Sequence, residues 1–389
     1  MRIEINAFDT LFFRDGKPFT MGEESWAEGI FPPPPSVIYG ALRAAYFAHH
    51  PEDLSKAGKE GEDPTRNLKI TDIALTFSNK RNFFYPVPAD CAVKENKTDE
   101  DEDDEKYELY RMKKKNDAYS SKSFSPLCAD SKIDKLESAS GFYLSDSALS
   151  RYLNMIDNAD QEDKPMNIYK NWVEKLSDHI SVEPKIGIRR DRSTKTSEDG
   201  KLYRLGMRRL NDVSFLIELE LEDNSSQEKG GGEQNPPLRL EDLLPEKGII
   251  RLGGEGKTAY YEPPVESWLL KSDPLSSEND VDKKGKSFVL YFKTPVLFEK
   301  YGYYPDFPDK YRIVSMAMDK PLSIGGWDMK AKAPKPMKKF VPAGAVYIVE
   351  SDSDVSLGDF KKVCENLCSE EYKKQGYGLY YVGVYNGKD

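Results

Sequence analysis

Cysteine and histidine are scarce. The four Cys among 389 residues are too few for a disulfide framework. Cys364 and Cys368, four residues apart, find no second Cys or His pair to complete a zinc set. They are expected on one helix face as buried thiols, in a chain whose default is the reduced, cytoplasmic state. No run approaches the ~18 apolar residues of a membrane-spanning helix. The opening MRIEINAFDT lacks the apolar core of a secretory signal. No GxSxG, HExxH or paired-carboxylate motif occurs. The three His stand at 49, 50 and 179, each near an expected helix end, and nothing requires them to share a site. No catalytic, metal-binding or cofactor-binding set is therefore expected. Aromatics, by contrast, are plentiful, with 23 Tyr and 18 Phe, which excludes disorder throughout. At roughly 150 residues per domain, the length suggests two or three domains and a sizeable core.

Acids outnumber bases 67 to 57, for a net charge of −10. Taken alone, that argues against a surface coated in nucleic acid, but the charge is segregated. Residues 95–108 carry nine acids and two bases. Residues 185–209 carry nine bases and three acids, and residues 320–340 six bases and one acid. A local basic surface can bind phosphates while an acidic loop elsewhere sets the total.

Residues 2–8 alternate polar and apolar, as a strand does. The prolines of FPPPPS cannot be helical, and Ser36 is placed to cap a helix running to about Phe47. Residues 71–77 and 83–87 read as strands, 93–122 as a charged, mobile insertion, and 145–156 and 165–178 as helices. Val213, Phe215, Ile217, Leu219 and Leu221 fall on one face of a half-buried strand. A flexible loop at 223–237 follows, then a short helix at 239–244 and a strand at 248–252. The order β, α, β, β, α, β is the split βαβ, or ferredoxin-like, unit. The theme repeats with strands at 287–298, 312–318 and 345–350, a helix at 358–369 capped near Ser356 or Asp359, and a terminal strand in GYGLYYVGVY. The expectation is an α+β chain of two ferredoxin-like domains with long insertions and glycine-rich loops. The first covers 1–265, with the acidic insertion at 93–122 and a basic hairpin at 185–209; the second covers 266–389.

Three segments invite a functional reading beside a plain one. RLGGEGKTAYY is no P-loop: Gly256-Lys257-Thr258 would need Gly at 251, where Arg251 stands, and Pro263 and Pro264 follow instead of a helix. What remains is a glycine turn, Gly253 and Gly254 with Lys257 beside them. It is either a phosphate cradle or a simple tight turn. SIGGWDMKAKAPKPMKK places Gly325, Gly326 and Trp327 before Lys330, Lys332, Lys335, Lys338 and Lys339. Cations interleaved with a ring suit single-stranded nucleic acid; the alternative is a core Trp with a solvated lysine loop. EPKIGIRRDRSTKTSEDGKLYRLGMRRL reads as a long hairpin around a polar tip at 193–200. It either grips nucleotides or is a surface hairpin without a ligand.

Taken in order, DTLFFRDGKPF (9–19), FPPPPSVIYGALRAA (31–45), KIGIRRDRSTKTSEDGKLYR (185–204), LGGEGKTAYYE (252–262) and IGGWDMKAKAPKP with VPAGAVYIVE (324–350) resemble the RAMP superfamily of CRISPR-associated proteins. Within it, they resemble the family of third subunits of the type III-B (Cmr) effector complex. PPPSxxxGALR and GGWD…PKP…VPAGxVY are the specific stretches. The resemblance implies two ferredoxin-like domains with glycine-rich loops, at the foot of an antiviral RNA-guided complex. It implies that the chain holds the 5′ repeat-derived tag of the CRISPR RNA. It would contact the large polymerase/cyclase-like subunit and the backbone RAMP subunit, without being a nuclease and without a membrane.

Carried over position by position, it implies RNA contacts from Arg14, from Ser36, Gly40 and Arg43 on the first helix, and from Arg189, Arg190, Arg192 and Lys195 on the hairpin. Gly253, Gly254 and Lys257 would cradle phosphate from the first domain, and Gly325, Gly326, Trp327, Lys330 and Lys335 would do so from the second. The 93–122 insertion and the 223–237 loop have no counterpart role. Two rival expectations are a RAMP endoribonuclease processing precursor CRISPR RNA, which needs a His or Tyr/Lys set near the glycine loops, and a purely protein-binding subunit.

Overall fold

The computed structural model describes residues 1–15, 26–77, 80–95, 107–114, 124–129, 133–154, 172–191, 193–222, 240–264, 281–298, 302–328 and 332–385. The first part of the chain forms β1 (Arg2–Ala7), α1 (Pro35–His49), β2 (Leu68–Phe77), β3 (Lys80–Pro86), β4 (Phe142–Ser145), α2 (Asp146–Asn154) and β5 (Val173–Lys175). It continues through β6 (Ile180–Arg190), β7 (Ser197–Leu210), β8 (Val213–Leu221), β9 (Gly248–Arg251) and β10 (Thr258–Glu262). The second part adds β11 (Lys284–Phe292), β12 (Tyr311–Ala317), β13 (Leu322–Asp328), β14 (Ala333–Phe340), β15 (Val346–Ser356), α3 (Leu357–Cys364) and β16 (Tyr380–Val384).

This is an α+β architecture of mostly antiparallel strands with few helices. The larger sheet runs β5-β4-β3-β2-β8-β1-β10-β9, the smaller β12-β15-β11-β16. Within them, β2-β8-β1-β10 and β12-β15-β11-β16 share one order: second, third, first, fourth.

On the side away from β8, β1 pairs with β10, Ile5 opposite Tyr261. The 248–252 strand instead lies outside β10 at the sheet edge. The glycine segment is therefore the turn of the β9–β10 hairpin. The helix expected over 165–178 is not present in its described part: Val173–Lys175 is a strand paired to β4, with Leu144 opposite Val173. Helix α1 starts at Pro35 with no side-chain cap. Proline needs no N–H acceptor at the first helical position, so Ser36 is displaced into the helix and does not cap it. In the acidic insertion, Cys91–Glu95 and Tyr107–Arg111 pair as a hairpin, Val93 opposite Leu109, and the acidic run between them lies outside the described residues.

The layers follow from which strand faces are apolar. Ile38, Ala41, Leu42, Ala45 and Tyr46 of α1, at helical spacing, bury against Ile3, Ile5, Phe215 and Ile217 on one face of the larger sheet. The other face carries Ala74, Tyr85, Leu144 and Leu216, which meet Tyr291, Val346, Ile348 and Tyr381 of the smaller sheet. The far side of the smaller sheet is closed by α3, whose Phe360 stacks on Phe288 at 4.4 Å. Ser356 caps α3 by accepting the Asp359 N–H at 3.1 Å. Helix, sheet, sheet and helix thus stack in four layers. No helix among the described residues is long and apolar enough to cross a membrane.

An ion pair sits beside the shared layer. Lys293, 7% exposed, donates to Asp72 at 2.8 Å. Tyr85 also donates to Asp72, at 2.6 Å, and the Lys293 ammonium lies 4.2 Å from the Tyr381 ring centre. Removing one partner of such a pair leaves an uncompensated charge. Lys293→Ala is expected to lower the unfolding free energy by about 3 kcal/mol. Lys293→Met combined with Asp72→Asn should recover much of that loss, and urea unfolding of the full chain measures both.

Candidate nucleic-acid interface

The basic window forms a hairpin that Trp26–Ala27, pairing in parallel with Arg204–Leu205, extends to a separate three-stranded sheet. β6 and β7 pair from Ile180–Leu210 to Arg190–Ser197, with a bulge after Ile188. The tip is shorter than expected, because 197–200 belong to β7. Asp191 organises it by accepting the N–H groups of Ser193 and Thr194 at 2.7 and 2.9 Å. These bonds, the Ser193 hydroxyl first, hold its carboxyl at about 2. Arg190 braces the tip by donating twice to the Lys195 carbonyl, at 3.0 and 2.9 Å.

Three backbone contacts seat the 9–15 loop, on this hairpin, on the glycine turn and on the segment before α1. Leu11 and Arg208 exchange N–H···O bonds of 2.7 and 2.8 Å, Gly254 N–H donates to the Phe12 carbonyl at 2.8 Å, and Ile30 N–H to the Phe13 carbonyl at 2.8 Å. Glycine is required at two of the crossings. Gly253 has φ +83°, and a Cβ there would lie 2.5 Å from the Phe12 oxygen; at Gly29 it would lie 2.6 Å from the Phe13 oxygen. Phe12, Arg14, Asp15, Ala27, Tyr203, Leu205 and Glu255 enclose a cavity of about 250 Å³ between loop and hairpin. Arg14 is exposed at its mouth.

Carboxylates hold the nearby cations. Lys257 donates to Asp9 at 2.6 Å, and Arg209 to the other oxygen of Asp9 at 3.0 Å. Arg209 also grips Glu183 with two nitrogens, one of them at 3.1 Å. Lys185 reaches Glu255 at 2.9 Å. The Lys257 ammonium holds the Asp9 carboxyl down at about 2, and Arg209 lowers that of Glu183. A folded value below the ordinary ~3.9 means the Asp9 contribution is complete above that pH and is lost as pH falls toward 2.

Arg14, Gly253, Gly254 and Lys257 are thus brought together beside the hairpin, whose tip carries Arg190 and Lys195. Arg192 and Lys330 lie outside the described residues, and Arg189 and Trp327 are described by backbone alone. The α1 residues are placed differently. Ser36 lies 2.9 Å from the Tyr377 hydroxyl. Arg43 donates to Thr65 at 2.8 Å and pairs with Asp63, pinning the segment after α1. Gly40 is exposed, with nothing near where a Cβ would be. Gly325 and Gly326 form no loop. They lie inside β13 at a bulge, Gly326 opposite Lys335 of β14, and a Cβ on Gly325 would meet the Met337 sulfur at 2.6 Å.

Asp9, Glu183, Lys185, Arg209 and Glu255 are site residues that pattern reading did not single out. Arg209 and Lys185 did lie within the basic window. Their acid partners become visible only with the register, which sets Arg209 opposite Ser181 and so diagonal to Glu183. The histidines are separate from this region: His179 contacts Glu174 at 2.8 Å and Phe77 at 4.5 Å between ring centres, and His50 stacks on Tyr46. Among the described residues, no group of three or more His, Cys, Asp or Glu could hold a metal ion.

The two adjacent glycines give a direct check of the loop seat. Gly253→Ala is expected to cost about 1–3 kcal/mol of strain and to speed hydrogen exchange at the Gly254 and Ile30 amides. Gly254→Ala, whose Cβ would sit 3.5 Å from Phe12, should change exchange little.

Comparison with known proteins places these features in a family. No curated protein matches the chain. Among solved structures, similar chains occur in a cryo-EM structure of the type III-B Cmr-beta bound to cognate target RNA and AMPPnP, state 1 (16% identity, 97% of this chain and 95% of that chain covered, TM-score 0.52). Another occurs in a structure of the type III-B Cmr-beta bound to cognate target RNA (18% identity, 97% and 95% covered, TM-score 0.51). At these identities, the likeness speaks to the fold. The family model described as CRISPR-associated protein (Cas_Cmr3) matches residues 3–385. A match over nearly the whole chain decides the question: the chain belongs to the Cas_Cmr3 family of CRISPR-associated proteins.

Proposed function

We propose that the chain is a non-catalytic RNA-binding subunit of a cytoplasmic type III-B (Cmr) effector complex. It holds the 5′ repeat-derived tag of the CRISPR RNA and bridges the large polymerase/cyclase-like subunit to the backbone RAMP subunit. The observation that carries this reading is the convergence of the basic hairpin, the Arg14 loop and the Gly253–Lys257 turn around one cavity. The chemistry is phosphate neutralisation by Arg and Lys, with bases splayed from a single strand. The neighbours in solved structures come from type III-B Cmr-beta bound to cognate target RNA. The strand order shared by both sheets supports two ferredoxin-like domains, 1–265 and 266–389.

In this reading, the carboxylates on Lys257, Arg209 and Lys185 keep the cations in place until phosphates compete for them. Binding therefore exchanges one set of anions for another, and it weakens with salt.

Two titrations with single-stranded RNA carrying the repeat-derived tag test this. Arg189→Ala combined with Arg190→Ala is expected to weaken binding and to reduce the slope of log affinity on log salt by about 1.4, at ~0.7 for each phosphate no longer neutralised. Asp9→Asn removes a competing anion and is expected to tighten binding severalfold. Unchanged affinity in the arginine pair, with folding intact, contradicts the proposal. Discrete cuts in repeat RNA in the presence of EDTA, abolished by His49→Ala or His50→Ala, would assign the chain to the endoribonucleases instead.

A further inference from the structure

Each half of the chain inserts a hairpin between the second and third strands of the shared order. In the first half β6–β7 comes between β2 and β8, and in the second β13–β14 comes between β12 and β15. The second hairpin is a two-stranded sheet of its own. Its root is fixed by the buried Ile324 and Phe340, with Phe340 against the rings of Tyr372 and Tyr377 at 5.3 and 5.0 Å. Beyond the root it stands in solvent: every residue of β14 from Pro334 to Lys339 is exposed.

Its charge is held differently from that of the first hairpin. Lys332, Lys335, Lys338 and Lys339 are all exposed. Register turns Lys335 and Lys338 to one face, opposite Gly326 and Ile324, and Lys339 to the other, opposite Ser323. Lys338 lies 3.8 Å from Glu371, and Lys339 donates to the Ser323 hydroxyl. Lys332 and Lys335 have no partner among the described residues. Carboxylates hold Lys185, Lys257 and Arg209, whereas most of this ribbon's cations face water. From Lys335 to Lys339 the strand covers about 13 Å at ~3.3 Å per residue.

Two observations favour a nucleic-acid backbone over a protein as the ligand. Protein interfaces have an apolar centre and are depleted in lysine. Met337 is the one large apolar side chain exposed among those described on the ribbon, and its sulfur lies where a Cβ on Gly325 would be. Pro334 and Pro336 also remove two N–H donors from β14, and proline closes a strand edge to pairing with another chain. What the ribbon offers is a set of point charges on a rigid extended backbone. An ammonium neutralises phosphate without reading a base edge.

We propose that β13–β14 is a second RNA-binding element, whose lysines hold a sugar–phosphate backbone irrespective of sequence. No residue of the ribbon lines the cavity at Arg14, so the two contacts are separate. Phosphate contact in the second half comes from lysine side chains and not from a glycine cradle. This site goes beyond the tag-binding reading and does not depend on it.

Titration of the full chain with two RNAs of equal length tests it, one carrying the repeat-derived tag and one scrambled. Lys335→Gln combined with Lys339→Gln is expected to weaken both by the same factor, about tenfold at about 0.1 M salt. The slope of log affinity on log salt should fall by about 1.4 for both. Unchanged affinities, a loss confined to the tag RNA, or no RNA binding by the unmodified chain overturns the proposal. The ratio of the two affinities in the unmodified chain reports the tag site alone. A ratio of one, with both affinities still falling in the lysine pair, counts against the tag reading and leaves the ribbon standing. A benzophenone side chain at Met337, in the tagged chain expressed in its host, supplies the second measurement. The expected adduct is RNA, and its sequence tells a guide from a target strand. An adduct to a protein subunit in place of RNA overturns the proposal.

Discussion

The layer where Ala74, Leu144 and Leu216 of the larger sheet meet Tyr291, Val346 and Ile348 of the smaller one has to stay dry, because strands on both sides are already covered by helices on their far faces. Neither sheet can expose this face without placing large aromatic side chains in water. Tyr291 of the smaller sheet and Tyr85 of the larger are both essentially inaccessible. The layer joins the two halves of the chain into one body. A charge pair beside it, Lys293 with Asp72, links residues 221 positions apart. The hairpin, the glycine turn and the 9–15 loop all hang from the edge and ends of strands that this layer fixes.

The functional region is built from backbone crossings more than from side-chain packing. Phe12 and Phe13 are buried, but their carbonyls are what receive Gly254 and Ile30. Such a seat demands residues without a Cβ at Gly253 and Gly29, and leaves the neighbouring side chains free to carry charge. The segregation of charge then has a structural form. Asp9, Glu183 and Glu255 hold the hairpin's Lys185 and Arg209 locally. A net charge of −10 is compatible with an anionic ligand because the field that matters is local.

How much of this could be read from the chain depended on whether the determinant was local. Alternation over 213–221 was legible because β8 has its strongly apolar side chains on one face, and only Leu216 breaks the pattern to serve the sheet–sheet layer. Helix α1 was legible from its period, but its start was not, since Pro35 rather than Ser36 sets it. The identity of the fourth strand was not legible: 248–252 and 258–262 both favour strands, and only tertiary pairing with β1 chooses between them. Gly325 and Gly326 read as a loop because glycine weakens a strand signal, whereas the bulge opposite Lys335 uses them within one. The hairpin and the glycine turn could be named as candidates. Their carboxylate partners could not, because Asp9 and Lys257 are 248 residues apart. Arg43 illustrates the converse: its basic charge suggested a ligand, and Asp63 and Thr65 occupy it.

The central claim, that this chain holds the tag of a guide RNA, is tested most directly by what the protein carries in its own cell. The tagged chain would be purified from its native host, its RNA extracted and the 5′ ends sequenced. The account predicts uniform ends that begin in a repeat-derived tag. Random RNA, or none, in particles that still contain the large and backbone subunits would contradict it.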